Sequence, residues 1–310
     1  MKRITVLLLL FCILTALPAC AGKAPESGKL KAVASAFPEY DLLRAVGGEL
    51  VDVTLLLKPG MEAHSFEPTP QDILAIRGAS LFVYGGGESD AWADRLLASG
   101  DLGEIRVLAF MDHALLRQEE TLDYMTVEEA EEEGDEYDEH VWTSPRNVIL
   151  LTEALRDALM ELDPPHADAY RANAEAYIAK LKALDGELRT LAETSKRKAL
   201  VVGDRFPFLY LVREYGLDYA AAFPGCSEEA DADPATVARL IDIVADEGIP
   251  VVFKCDLSAG KLADTIAEAS GAKVLTLYSA HTLSKADFEA GETYLSLMER
   301  NLQALREALN

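Results

Sequence analysis

The chain has 310 residues, of which 50% are hydrophobic and 26% are charged, and its formal net charge is -24 at pH 7. These values are typical of a soluble globular protein with about two domains. The acidic charge disfavours nucleic acid and anionic membrane surfaces as partners, because like charges repel. A cationic ligand fits this charge better, and solubility alone is the other explanation of it.

The first residues predict export from the cytoplasm. Lys2 and Arg3 precede an apolar run that is too short and too early for an ordinary membrane span, so residues 1–19 read as a signal peptide. The sequence Leu-Pro-Ala-Cys that ends at Cys20 resembles the bacterial lipobox. This resemblance implies cleavage before Cys20, a lipid on its sulfur and a polar tether over residues 20–29. The alternative is an ordinary secretory cleavage site nearby. In both cases the mature chain is extracytoplasmic, and the lipid would be its only link to the cell membrane.

After residue 30, short apolar runs alternate with amphipathic stretches, which predicts alternating strands and helices. The predicted strands cover residues 31–37, 51–57, 80–87 and 105–110. The predicted helices cover residues 39–48, 69–79, 90–99 and 144–162, the last with Ser144 as its cap. This alternation is typical of a parallel sheet with helices on both faces, and it defines an N-terminal lobe over residues 30–162.

Residues 118–139 interrupt the alternation, because acidic side chains dominate this segment and few of its residues could enter a core. We expect a mobile, solvated acidic loop. It could also collect cations weakly and pass them to a binding cleft.

Residues 163–195 predict a linking helix. Apolar residues from Tyr170 to Leu191 recur at spacings of three and four, and a helix from His166 to Thr194 would be about 43 Å long. The alternation then restarts, with predicted strands at 198–203, 217–223, 249–255 and 272–278. Predicted helices cover residues 206–216, 234–248, 261–271 and 287–309.

The predicted fold is therefore α/β, with two Rossmann-like lobes joined by one long, rigid helix. Each lobe is a parallel sheet flanked by helices, and the C-terminal lobe covers residues 196–310. Ligands of open α/β sheets bind beyond the carboxyl ends of the strands, so the cleft between the lobes is the expected site.

Three of the five histidines lie at strand ends or helix starts, where they could face this cleft: His64, His140 and His281. Prolines before and after His64 stiffen its loop, which would preorganise a metal ligand. Imidazole is a common ligand of zinc, copper, nickel and iron. We interpret His113 and His166 as surface or structural residues.

The histidine motifs also resemble a known family. Residues 59–72 (PGMEAHSFEPTPQD) and 138–147 (DEHVWTSPRN) are similar to the zinc- and manganese-binding substrate proteins of bacterial ABC importers, solute-binding protein family 9. The resemblance extends from about residue 30 to the end of the chain. It implies a monomeric, non-enzymatic receptor that captures Zn(II) or Mn(II) in the interlobe cleft. The receptor would deliver the ion to an ABC permease, whose partner ATPase drives uptake.

The resemblance assigns His64 and His140 to the first two ligand positions and places His281 at, or one residue from, the fourth. Gly203 stands where the family has its third ligand, usually His or Glu. Asp204 is one candidate replacement, although it could instead cap a helix or pair with Arg205. The remaining candidates are a water molecule, Glu62, Glu67 and Cys255.

Three imidazoles with a fourth oxygen ligand favour zinc over hard cations, and manganese remains the alternative. Cys226 and Cys255 could form a disulfide, stay reduced or, less favourably, bind zinc.

Two other functions fit parts of the sequence. A zinc hydrolase would also use three histidines and an open water position, but the sequence has no HExxH motif. An adhesin or metallochaperone role has no separate module in the sequence to support it.

Overall fold

The computed structural model describes residues 28–100, 102–125, 136–225 and 232–310. The predicted signal peptide (1–19), Cys20, most of the tether and Cys226 lie outside these ranges. Among the described residues, no helix has both the length and the apolar character needed to cross a membrane.

The first lobe is built on a four-stranded parallel sheet with the strand order β2-β1-β3-β4. Its strands are β1 (Leu30–Ala34), β2 (Val51–Leu55), β3 (Leu81–Tyr84) and β4 (Arg106–Ala109). Its helices are α1 (Phe37–Gly47), α2 (Pro70–Arg77), α3 (Ala91–Ala98) and α4 (Pro145–Leu162). All four residues of β3 are buried, as expected for a central strand covered on both faces.

One long helix follows, α5 (Ala167–Thr194), with 28 residues. The apolar stripe read from the sequence is its buried face, which includes Tyr170, Leu181 and Leu191. It packs against α1 and α4 of the first lobe and against helices of the second, so the predicted linking helix is confirmed. Gly186 lies inside α5 without ending it.

The second lobe repeats the topology of the first, with four parallel strands in the order β6-β5-β7-β8. Its strands are β5 (Ala199–Arg205), β6 (Asp218–Phe223), β7 (Val251–Cys255) and β8 (Lys273–Leu277). The helices between them are α6 (Leu209–Tyr215), α7 (Pro234–Glu247) and α8 (Lys261–Ser270). The predicted fold class is confirmed.

The prediction of a single last helix over residues 287–309 is wrong. The structure has two helices, α9 (Lys285–Ala290) and α10 (Tyr294–Leu309). Gly291 ends α9 in the left-handed conformation with a φ of 78°, and the hydroxyl of Thr293 caps α10 by accepting from the Ser296 amide. The Tyr294 amide donates to Asp41 Oδ2 at 2.9 Å, which ties α10 to the first lobe.

The prediction of a wholly solvated loop over residues 118–139 is also wrong at its described ends. Gln118 pairs with Tyr137 in an antiparallel bridge, and Met125 is buried in the main core. Asp138 and Glu139 are buried as well. Charged side chains can be buried when polar partners compensate them, and the partner of Glu139, the Ser89 amide, lies 50 residues away in the sequence.

Candidate metal centre

His64 lies on the loop that follows β2. The first residues of this loop, Leu56 and Leu57, are buried, and the Leu57 amide donates to the Ser35 carbonyl at 2.9 Å. The Gly60 amide donates to the Leu283 carbonyl at 2.8 Å, which attaches the loop to a segment from the end of the chain. Burial lowers the pKa of His64, and the charge of Glu139 opposes that effect. His64 is therefore largely neutral at pH 7, which is the state that binds a metal.

His140 lies between the acidic loop and α4, and Asp138 holds it in place. Asp138 Oδ1 accepts from the His140 amide at 2.7 Å and lies 3.1 Å from its Nδ1. With Nδ1 engaged by a carboxylate, Nε2 is the nitrogen available to an ion. Burial disfavours the charged imidazole, but the charge and hydrogen bond of Asp138 outweigh it and raise the pKa of His140.

His281 follows β8 on a short segment that returns to the first lobe. Its carbonyl accepts from the Phe37 amide at 3.3 Å, and the Ser279 carbonyl accepts from Trp142 Nε1 at 2.9 Å. Ala280 between them has a φ of 57°, a left-handed conformation that is unusual outside glycine. Burial lowers the pKa of His281 well below its ordinary value, and the neighbouring histidines add to this effect.

The structure brings the three predicted histidines together. Their ring centroids are 6.0 Å apart for His64 and His140, 5.8 Å for His64 and His281, and 5.6 Å for His140 and His281. The expected convergence from distant parts of the chain is therefore confirmed. Their role as ligands remains a prediction.

Sequence reasoning missed a fourth member of this cluster, Glu139. One ligand atom from each of His64, Glu139, His140 and His281 can be chosen so that all lie within 4.8 Å of one another. Glu139 is 1% exposed, and its Oε2 accepts from the Ser89 amide at 2.9 Å. Its place directly before His140 is the one local signal for it, but the acidic residues around it favour a solvated loop.

Two further buried carboxyls lie near Glu139 in the first lobe. Asp90 Oδ2 accepts from the Gly85 amide at 2.7 Å and from Ser35 Oγ at 3.0 Å. Burial raises the pKa of Asp90 to about 6, and burial together with the charge of Asp90 raises that of Glu39 well above its ordinary value. This wall of the site therefore carries less negative charge than its composition suggests.

Asp204 lies on the wall of the same cavity but outside the four-residue cluster. It belongs to β5, so it does not cap a helix. Its Oδ1 accepts from the Arg205 amide at 3.0 Å and its Oδ2 from the Cys255 amide at 3.2 Å. The structure does not bring Asp204 together with the histidines, and its role as a ligand remains a prediction.

The other side chains proposed from the sequence also lie outside the cluster and have other partners, although Glu62 and Cys255 line the same cavity. Glu62 lies 3.5 Å from Arg205 Nη1, and Glu67 lies 3.1 Å from Arg95 Nη2. Cys255 is a free thiol among the described residues, and its Sγ donates to the Arg205 carbonyl at 3.3 Å. Burial raises the pKa of Cys255 well above its ordinary value, so it stays protonated. The predicted disulfide to Cys226 involves a residue outside the described ranges.

A cavity of about 360 Å³ opens beside the histidines. Residues of both lobes line it, including His64, His140, Gly203, Asp204, Cys255 and His281. The site therefore lies in the expected cleft between the lobes.

The family of this chain follows from comparison with known proteins. The family model ZnuA, described as zinc-uptake complex component A periplasmic, matches residues 32–308. The chain belongs to the ZnuA family. The resemblance read from the histidine motifs is thereby confirmed over nearly the whole chain.

Individual ZnuA-family relatives agree with this result. The zinc-binding lipoprotein AdcA of Streptococcus pneumoniae is 33% identical, and the match covers 99% of this chain and 61% of that protein. The high-affinity zinc uptake system protein ZnuA of Bacillus subtilis is 30% identical, with 93% of this chain and 90% of that protein covered. The chain thus spans less than two thirds of the pneumococcal relative.

A solved structure with the same fold is the Zn(II)-bound ZnuA-like domain of Streptococcus pneumoniae AdcA. It superposes on this ZnuA-family chain with a TM-score of 0.76 at 32% sequence identity, covering 91% of this chain and 99% of that domain.

Proposed function

We propose that this ZnuA-family chain is an extracytoplasmic receptor that captures Zn(II) in the cleft between its lobes. It then delivers the ion to an ABC permease, whose partner ATPase drives uptake. The convergence of His64, His140 and His281 on one cavity is the observation that carries the proposal. The zinc-related names of its relatives support it.

The chemistry of the cluster favours zinc. Two of the imidazoles have lowered pKa values and are neutral at pH 7, while Asp138 orients the third through Nδ1. Neutral imidazole nitrogens suit borderline-soft cations, whereas Mn(II) is better served by oxygen-rich sites. Mn(II) is the alternative cargo, and competition between the two ions in one titration would rank them.

We propose binding without turnover. A catalytic zinc site keeps an open position for an activated water, while a transport site only has to hold and release its ion. The hydrolase alternative predicts steady turnover of esters or peptides that His64→Ala abolishes. We expect no turnover above the level of that variant.

We also propose that the mature protein is a monomer held at the membrane by a lipid on Cys20. The lipobox-like sequence and the lipoprotein relative support the anchor. Cys20→Ser should release the protein into the soluble fraction. Continued fractionation of that variant with membranes would contradict the anchor and leave the zinc proposal unaffected.

Zinc titration of histidine variants by calorimetry tests the central proposal. His64→Ala and His140→Ala should each lower zinc affinity at least about tenfold, because each removes a direct ligand. His113→Ala and His166→Ala are the controls, since both residues are exposed and lie outside the cluster. Unchanged affinity in the cluster variants would refute the proposed site.

A further inference from the structure

We propose that Glu139 is the fourth ligand of the captured ion, so that the ligand set comes from the first lobe and the segment that returns to it. This inference rests on the proposed function. It adds a residue that the histidine pattern did not reveal.

The first argument is the state of the Glu139 carboxylate. Its Oε2 is held by the Ser89 amide, while its Oε1 is buried without a hydrogen-bond partner among the described residues. His64 Nδ1 lies 3.7 Å from Oε1 and is likewise buried and unpartnered. A buried unsatisfied polar atom costs about 1–3 kcal/mol, and at 3.7 Å these two atoms are too far apart to satisfy each other with a hydrogen bond. A divalent cation bound to both would satisfy them.

The second argument is that the chain makes room for this side chain. Gly87 has a φ of 95°, and a Cβ placed on it would lie 2.6 Å from Glu139 Cβ and 2.8 Å from Glu139 Oε2. Any other residue at position 87 would therefore collide with the glutamate. The loop after β3 is shaped around Glu139, which fixes its carboxylate before an ion arrives.

The third argument is that the corresponding edge of the second lobe is closed. A Cβ on Gly203 would lie 2.6 Å from Ala263 Cα and 2.7 Å from its amide nitrogen. These are backbone atoms of α8 and cannot move aside cheaply. No side chain fits at position 203. The carboxylate of the next residue, Asp204, already accepts hydrogen bonds from two backbone amides.

The fourth argument is charge. A divalent ion held by three neutral imidazoles would bring two positive charges into a largely buried site with no anionic ligand in direct contact, which is costly. One carboxylate ligand halves that charge. Glu139 is the only carboxylate among the described residues that joins the histidine cluster.

Zinc titration of Glu139→Gln and Glu139→Ala tests this assignment. Glutamine keeps the size of the side chain and an oxygen that can accept from the Ser89 amide, so circular dichroism should show an unchanged fold. We expect zinc affinity to fall about 10- to 100-fold in both variants. The matched control is Glu136→Gln, which removes an exposed acid three residues earlier in the same segment.

A crystal structure of the zinc-loaded protein separates ligation from a positioning role. We expect anomalous scattering to place zinc about 2.0–2.2 Å from a Glu139 oxygen. A zinc ion bound by the three histidines with Glu139 out of reach, or unchanged affinity in both Glu139 variants, would overturn this inference and leave the proposed function intact. If the histidine variants still bound zinc with unchanged affinity, the proposed function itself would be refuted.

Discussion

The two lobes have the same strand order, yet they contribute unequally to the candidate centre. In the first lobe, the loop after β2 carries His64, and the segment before α4 carries Glu139 and His140. In the second lobe, the ends of β5 and β7 line the cavity with groups that are closed off or already bonded. The shared topology therefore gives each lobe a sheet edge that could bind an ion. The local packing decides which edge has side-chain atoms available as metal ligands.

His281 needs a separate account in this comparison, because it follows the last strand of the second lobe. Its segment nevertheless bonds to the first lobe, through the Phe37 amide, the Trp142 indole and the Gly60 amide. The helix α10 behind it continues this attachment through the bond from the Tyr294 amide to Asp41. The end of the chain therefore joins the two lobes, because α10 also packs against β5 and β8 of the second lobe.

The largest expected effect concerns that attachment and its dependence on pH. Burial raises the pKa of Asp41 from 3.8 to about 6, against the opposing effects of the Tyr294 amide and Arg44. Between pH 3.8 and pH 6 the folded protein keeps a proton on Asp41 that the unfolded chain has lost. The stability that this proton contributes is therefore complete below pH 3.8 and is lost as the pH rises through 6. This shift corresponds to about 3 kcal/mol of unfolding free energy.

The unfolding free energy of Asp41→Asn, measured relative to that of the wild type, should therefore rise by about 3 kcal/mol between pH 4 and pH 7. Denaturant unfolding at several pH values measures this difference. Asp52→Asn, which removes an exposed carboxylate from β2, controls for the loss of one negative charge. A difference that shrinks as the pH rises would show that Asp41 is not held protonated by its burial.

The next effect tests the closed edge of the second lobe. Gly203→Ala should lower the unfolding free energy by about 1–3 kcal/mol, because the new methyl group meets the backbone of α8. The control is Gly186→Ala in α5. A Cβ added there would meet no atom within 4 Å beyond the backbone of its own helix, so alanine should stabilise the helix by about 1 kcal/mol. Equal stability of the Gly203 variant and the wild type would mean that this edge is open to side chains.

A smaller effect tests the returning segment. Trp142→Phe removes the indole N–H that bonds to the Ser279 carbonyl and leaves that carbonyl without this donor. Thermal or denaturant unfolding should show a loss of about 1–2 kcal/mol. Zinc affinity should fall as well, since His281 lies two residues beyond this bond; an affinity equal to that of the wild type would show that the bond does not help to position His281.

The smallest expected effect is on Asp204. Asp204→Asn should change the zinc binding free energy by less than about 0.5 kcal/mol, because its carboxylate bonds to backbone amides outside the cluster. Calorimetry on this variant beside His281→Ala makes the comparison direct. A loss as large as that of the His281 variant would restore Asp204 as a ligand and make the two lobes equal partners.

The sequence was sufficient for the fold and for the three histidines. Hydrophobic periodicity locates the strands and the long helix α5, and parallel strands direct the loops that follow them to one edge. The prolines around His64 and the cap at Ser144 are local signals that can be read directly.

Glu139 could not be predicted in the same way. Its burial depends on the Ser89 amide and on the left-handed Gly87, both about 50 residues away, while its local sequence is acidic and suggests solvation. The closure at Gly203 is equally non-local, because it depends on how closely α8 approaches β5. The break before α10 was locally visible at Gly291 but was outweighed by the apolar pattern on both sides of it.

The continuous helix α5 has a consequence for how cargo would leave. It packs on both lobes along its 28 residues, so the lobes have little freedom to swing apart. Release of a bound ion would then have to be a local rearrangement at the pocket. The two lobes would keep their relative positions during release, and only residues beside the pocket would move.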